Sequence, residues 1–124
     1  MLRKAPLVAR IKCDLAVMYS NLGHLYMSDD GQYVNAHEVL EKAESLIVEL
    51  VRDHPGEPSY RSILGGILNN QGIAREKQGR LEEAITIAER GLQQSKEQGE
   101  ENFVEVFQKT LKLWYPTQLP NHGQ

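Results

Sequence analysis

Four histidines and one cysteine are the residues of this chain best suited to hold a metal or attack a substrate, and their spacing argues against both. His24, His37, His54 and His122 fall on separate predicted elements, and no two stand four apart on a helix as zinc ligands do. Cys13 is the single cysteine, so it can form no internal disulfide and supplies one ligand where a structural zinc site takes four. It reads as a small residue, buried or half-buried. Asp29-Asp30-Gly31 opens like a calcium loop but lacks the later ligands and the closing Glu, and turn chemistry accounts for it. No serine or cysteine has an acid/base neighbour recognisable from sequence. The expectation is a non-enzymatic chain, with no catalytic residues, no metal and no cofactor, that works by surface recognition.

The elements that would position such a surface are helices. Between Tyr60 and Ala84, apolar residues at Tyr60, Ile63, Leu64, Ile67 and Leu68 keep a helical spacing, Gly79 interrupts, and Arg80-Leu81-Glu82-Glu83-Ala84 starts a second helix with acids in its first turn. Helices this close in sequence fold back on each other, and Gly72 and Ala84 are small where the two backbones would approach. Gly65-Gly66 inside a helix costs about 2 kcal/mol against two alanines, which predicts close approach of another backbone or of a bound peptide.

Composition agrees with this reading. The 124 residues carry a net charge of −3, with 40% hydrophobic and 25% charged residues, enough for one domain with a buried core and a poor match to a nucleic-acid binder. No apolar run has the length of a membrane span, and the basic start Met1 to Arg10 leads into no sustained apolar stretch, so the expectation is no secretory leader, no membrane contact and a cytoplasmic location. Charge alternates along the chain. Arg3, Lys4, Arg10 and Lys12 face Asp14 alone in one segment, Arg61, Arg75, Lys77 and Arg80 face Glu76 alone in another, and the intervening helices are acidic.

In chain order, a first helix is predicted from about Pro6 to Ser28, with Val8, Ile11, Leu15, Met18, Leu22 and Leu25 on one apolar face. A second runs from about Tyr33 to Asp53, with Ala36, Val39, Leu40, Ala43, Leu46, Ile47, Leu50 and Val51 inward, before Pro55, Gly56 and Pro58 break it. The third and fourth occupy about Ser59 to Gln78 and Leu81 to Gln98. A last helix begins near Glu101, carries Phe103, Phe107, Leu111 and Trp114 on one side, and is expected to end at Pro116 as a cap over the second hairpin. Shifting the sequence by 49 exposes a repeat: Ile11 falls on Tyr60, Leu15 on Leu64, Met18 on Ile67, Asn21 on Asn70 and Gly23 on Gly72. Past the turn, Gly31 and Ala36 match Gly79 and Ala84 at a shift of 48.

The run Tyr19-x-x-Leu22-Gly23-x-x-Tyr26, followed by Ala36, Leu40 and Ala43, resembles the signature of tetratricopeptide repeats. The second unit keeps Leu68, Gly72, Gly79 and Ala84 but departs from it at Gln71, Arg75, Ala88 and Gly91, where the family usually has Leu, Tyr, a large apolar residue and Ala. Both units exceed the usual period of about 34 residues and are similar in length to kinesin light chain repeats. A narrower resemblance lies in Ala43 to Ser62, most distinctly in His54-Pro55-x-x-Pro58-x-Tyr60-Arg61, which is similar to the repeat regions that follow bacterial serine/threonine protein kinase domains. No kinase motif accompanies it.

The resemblance implies an all-α fold, a right-handed superhelix of two long antiparallel helical hairpins plus a C-terminal capping helix, five helices in all. Repeat one would span about 7–54, repeat two about 56–98 and the cap about 101–115 of a single domain over 1–115, with 116–124 a loosely ordered tail. It also implies a concave groove in which Ser20, Asn21, His24 and Ser28 of the first unit and Asn69, Asn70, Ile73 and Lys77 of the second face a bound peptide. An Asn amide offers both donor and acceptor to a peptide main chain, which singles out Asn21 and Asn70. The function so implied is a protein-interaction scaffold linked to signalling. Its partner would be a protein or peptide segment that is acidic or ends in a free carboxylate, drawn to Arg10, Lys12, Arg61, Arg75 and Lys77. The alternative is homo-oligomeric assembly through the open flanks near residues 1–28 and 101–115.

Overall fold

The computed structural model describes residues 4–28 and 31–118. Five α-helices account for nearly all of these: α1 (Lys4–Ser28), α2 (Tyr33–Asp53), α3 (Pro58–Lys77), α4 (Leu81–Gln98) and α5 (Glu101–Gln118). Asp29, Asp30, His122 and the tail after Gln118 lie outside the described residues.

Each helix stops where the sequence removes its means of continuing. Gly31, Gly79 and Gly99 take φ of 84°, 79° and 72°, the left-handed conformation that a side chain disfavours. At Gly79 the reversal is closed by Arg80 N–H donating to the Arg75 carbonyl at 2.9 Å, and at Gly99 by Glu100 N–H donating to that of Ser95 at 2.9 Å. Between α2 and α3, Pro58 stands at the start of the new helix, where its missing N–H is harmless. Pro116 does not end α5, which continues to Gln118. Proline in a last turn removes one hydrogen bond near an end that frays in any case, so the helix outlasts it.

Consecutive helices pack as antiparallel neighbours, and α1 also meets α3 as α3 meets α5. The odd-numbered helices therefore form one layer and the even-numbered helices the other. Between them lies a core built on Leu40, Ile47 and Leu50 of α2, Leu64, Ile67 and Leu68 of α3, Ile85 of α4, and Phe107 and Leu111 of α5. Each such side chain contributes about 1.5–3 kcal/mol on burial.

Four glycines decide how closely the helices meet. A Cβ on Gly23 would stand 2.7 Å from Leu40 Cγ, and one on Gly91 would overlap the Phe107 ring. A Cβ on Gly65 would come within 2.7 Å of the Phe103 ring, while on Gly72 it would lie 3.4 Å from Trp114 Cη2 and 3.7 Å from the Ala84 carbonyl oxygen. The neighbour expected beside Gly65-Gly66 is thus neither a backbone nor a peptide but an aromatic side chain from α5. Gly66 itself opens onto empty space.

Candidate peptide-binding face

The orientation of α1 and α3 follows from their glycines. Gly23 meets Leu40 of α2, and at 3.6 residues per turn Asn21 lies about 200° around the helix from it, on the side turned away from the even-numbered layer. Gly72 meets the Ala84 backbone of α4, which sets Asn70 on the corresponding side of α3. Ser20, His24 and Ser28 share one arc of α1 with Asn21, and Asn69, Ile73 and Lys77 share the equivalent arc of α3 with Asn70. Because α1 and α3 pack side by side, the structure brings these eight residues to one face of the odd-numbered layer.

Asn21, His24, Ser28 and Lys77 are exposed there, and Ser20, Asn69, Asn70 and Ile73 are half-buried. The Ser28 hydroxyl is committed locally, donating to the His24 carbonyl at 3.0 Å. Among the described residues, the amides of Asn21, Asn69 and Asn70 make no side-chain hydrogen bond.

The cationic surface expected from the sequence is mostly spent inside the fold. Lys12 Nζ lies 3.0 Å from Glu49 Oε1, and Arg75 Nε lies 3.1 Å from Glu83 Oε1. Arg61 Nε is 3.6 Å from Glu100 Oε2 while its Nη1 donates to the Pro55 carbonyl. Glu49 and Glu83 come from the acidic helices α2 and α4 that pack beside the basic ones, and Glu100 from the turn between α4 and α5, so the alternation of charge along the chain joins helices more than it builds a positive wall. Arg10 and Lys77 make no ion pair among the described residues.

Arg75 and Gln71, two departures from the repeat pattern, belong to a polar cleft on the opposite side. There a cavity of about 310 Å³ opens between α2 and α4, with α3 as its floor. Gln71, only 1% exposed, donates through Nε2 to Glu44 Oε1 at 3.1 Å, and Arg90 from α4 pairs with the other Glu44 oxygen. Arg75 also donates to Gln78 Oε1 at 3.0 Å. His37 is 6% exposed at the cleft edge, its Nδ1 3.9 Å from Glu41 Oε2, and burial, then the nearby Arg75 charge, pushes its pKa down. Sequence reasoning missed this network. Its available trace was the replacement of two expected apolar positions, Gln71 and Arg75, opposite the acidic residues Glu44 and Glu83.

The other reactive groups remain isolated. Cys13 is half-buried, and burial followed by the Asp14 and Glu57 charges raises its pKa, the opposite of a reactive thiolate. Among the described residues no group of three or more His, Cys, Asp or Glu side chains is placed to hold a metal, and no helix is long and apolar enough to cross a membrane.

Fold and face together define an all-α protein of two packed helical hairpins closed by a fifth helix. Comparison with family models, with curated proteins and with solved structures finds no match to this chain.

Proposed function

We propose that the chain is a non-enzymatic protein-interaction scaffold of the tetratricopeptide type, holding a segment of a partner protein along the outer face of α1 and α3. The observation that carries this reading is the pair Asn21 and Asn70, at equivalent positions of the two hairpins, whose amides have no hydrogen-bond partner among the described residues. Each amide can donate to and accept from a peptide main chain, so the pair grips an extended segment whatever its sequence. Ile73 adds an apolar contact between them. Arg10 and Lys77 favour a partner with acidic side chains or a free C-terminal carboxylate, an attraction that salt screens. The likeness of residues 43–62 to repeats behind bacterial kinase domains supports a signalling role, and the lone Cys13 suits a cytoplasmic setting.

The test is a pulldown from native lysate with wild-type protein and with Asn21→Ala/Asn70→Ala, followed by titration of the captured partner. Asn70→Ala alone is expected to weaken binding by about 1–2 kcal/mol with the melting temperature unchanged. A partner held equally well by the wild type and the double variant would exclude this face. A second reading, assembly through a helix flank, is favoured by the apolar side of α1 that no helix among the described residues covers.

A further inference from the structure

Val8, Ile11, Leu15, Met18, Leu22 and Leu25 alternate steps of three and four, the a and d spacing of a coiled-coil seam, yet none of them packs inside the molecule. They are 37% to 65% exposed, while α1 turns Ala9, Ala16 and Gly23 inward instead. The repeat shows what kind of surface belongs on this face. At a shift of 49, Leu15, Met18, Leu22 and Leu25 correspond to Leu64, Ile67, Gln71 and Ala74 of α3, all buried and covered by α2. A helix is what covers this side of α3, and among the described residues none covers the same side of α1.

We propose that α1 pairs with α1 of a second copy, antiparallel about a two-fold axis between Ala16 and Val17, in an interface whose edge takes in Asn21, which shares a surface depression with Leu15, Met18, Leu22 and Leu25. In that register Val8 of one copy meets Leu25 of the other, Ile11 meets Leu22, and Leu15 meets Met18, so every a position faces a d position and the seam is complementary to itself. The six side chains expose roughly 550 Å² per copy, and pairing removes on the order of 1,100 Å² before flanking residues are counted, which clears the area of a specific interface. Charge favours the antiparallel direction: in this register Arg10 of one copy stands level with Gly23 of the other, whereas parallel packing would set the two Arg10 side chains level with each other. The far flank, on α5, exposes Val106 and Leu113 beside Glu105, Gln108, Lys109 and Lys112, a mixed surface that matches the uninterrupted apolar seam of α1 less well than a second seam does.

The full chain is tested by light scattering across a concentration series, beside Met18→Glu, a change at a side chain already 65% exposed and so compatible with the monomer fold. The expected result is twice the chain mass for the wild type, and a dissociation constant raised at least ~10-fold in Met18→Glu with unchanged helicity. Orientation is read in a Cys13→Ser background. Ile11→Cys with Leu22→Cys should cross-link two copies through a disulfide, and Leu22→Cys alone should not. A wild type that stays monomeric at high concentration assigns the seam to a helix of another protein and overturns the proposal, as does a dimer indifferent to Met18→Glu or a Leu22→Cys variant that cross-links to itself.

Discussion

The two hairpins solve one packing problem by different means. In the first, Gly23 makes room at the crossing and Leu40 of the same hairpin fills it. In the second, the residue equivalent to Leu40 is Ala88, and the space beside Gly72 is taken by Trp114 from α5. Gly91, where the first hairpin has Ala43, receives Phe107, and Gly65 receives Phe103. The first hairpin is self-sufficient at its crossing and open on its outer flank. The second is incomplete until α5 supplies three aromatic rings, and its flank is closed by the same act. Gly65, Gly72 and Gly91 are therefore half of a fit whose other half, Phe103, Trp114 and Phe107, lies 38, 42 and 16 residues further along the chain.

The strongest way to break this comparison is to move one solution into the other hairpin. Trp114→Ala is expected to destabilise by about 3–5 kcal/mol, as loss of a large packed aromatic does. Adding Ala88→Leu, which restores the residue used in the first hairpin, should recover at least ~1 kcal/mol. Denaturant unfolding of the two single variants and the double variant reads the coupling directly, and strict additivity would show that Leu40 and Trp114 do not play equivalent parts.

A smaller effect separates adjacent glycines. Gly65→Ala forces a methyl against the Phe103 ring and should cost about 1–3 kcal/mol. Gly66→Ala meets nothing and should stabilise α3 by about 0.5–1 kcal/mol through helix propensity alone. Thermal melts that shift in the same direction for both would place Phe103 elsewhere.

The smallest expected effect belongs to the cleft on the far side of α3. His37 has a folded pKa below its unfolded value, so the unfolded chain binds more protons, and stability rises with pH until both states are neutral. Facing it are Glu41 and Glu44 from its own helix, Arg75 from α3 and Glu83 from α4. The melting temperature should decline as pH falls through the usual histidine range near 6.5, and His37→Gln should flatten that decline. A melting profile identical in the two proteins would mean that His37 is solvated in the fold.

Much of this molecule was legible in the sequence because helix formation is local. Apolar spacing, Pro58 at a helix start and glycines at Gly31, Gly79 and Gly99 set the helices within about two residues of their observed ends, except at Pro116, which α5 outlasts, since caps and breakers act on the backbone next to them. The choice of the arc that holds Asn21 and Asn70 came from the resemblance to tetratricopeptide repeats, not from periodicity. What only the tertiary structure decided is which face of each helix meets which neighbour. Val8 to Leu25 form the most regular apolar stripe in α1, yet the fold buries the stripe of Ala9, Ala16 and Gly23, because Leu40 needs a surface without side chains to close on. Arg61 and Arg75 looked like free groove charges until Glu100, in the turn before α5, and Glu83, at the start of α4, were brought beside them. Pattern along a chain gives each helix its candidate faces. The choice among them is made by complementarity of volume and charge between helices, which exists only once they are packed.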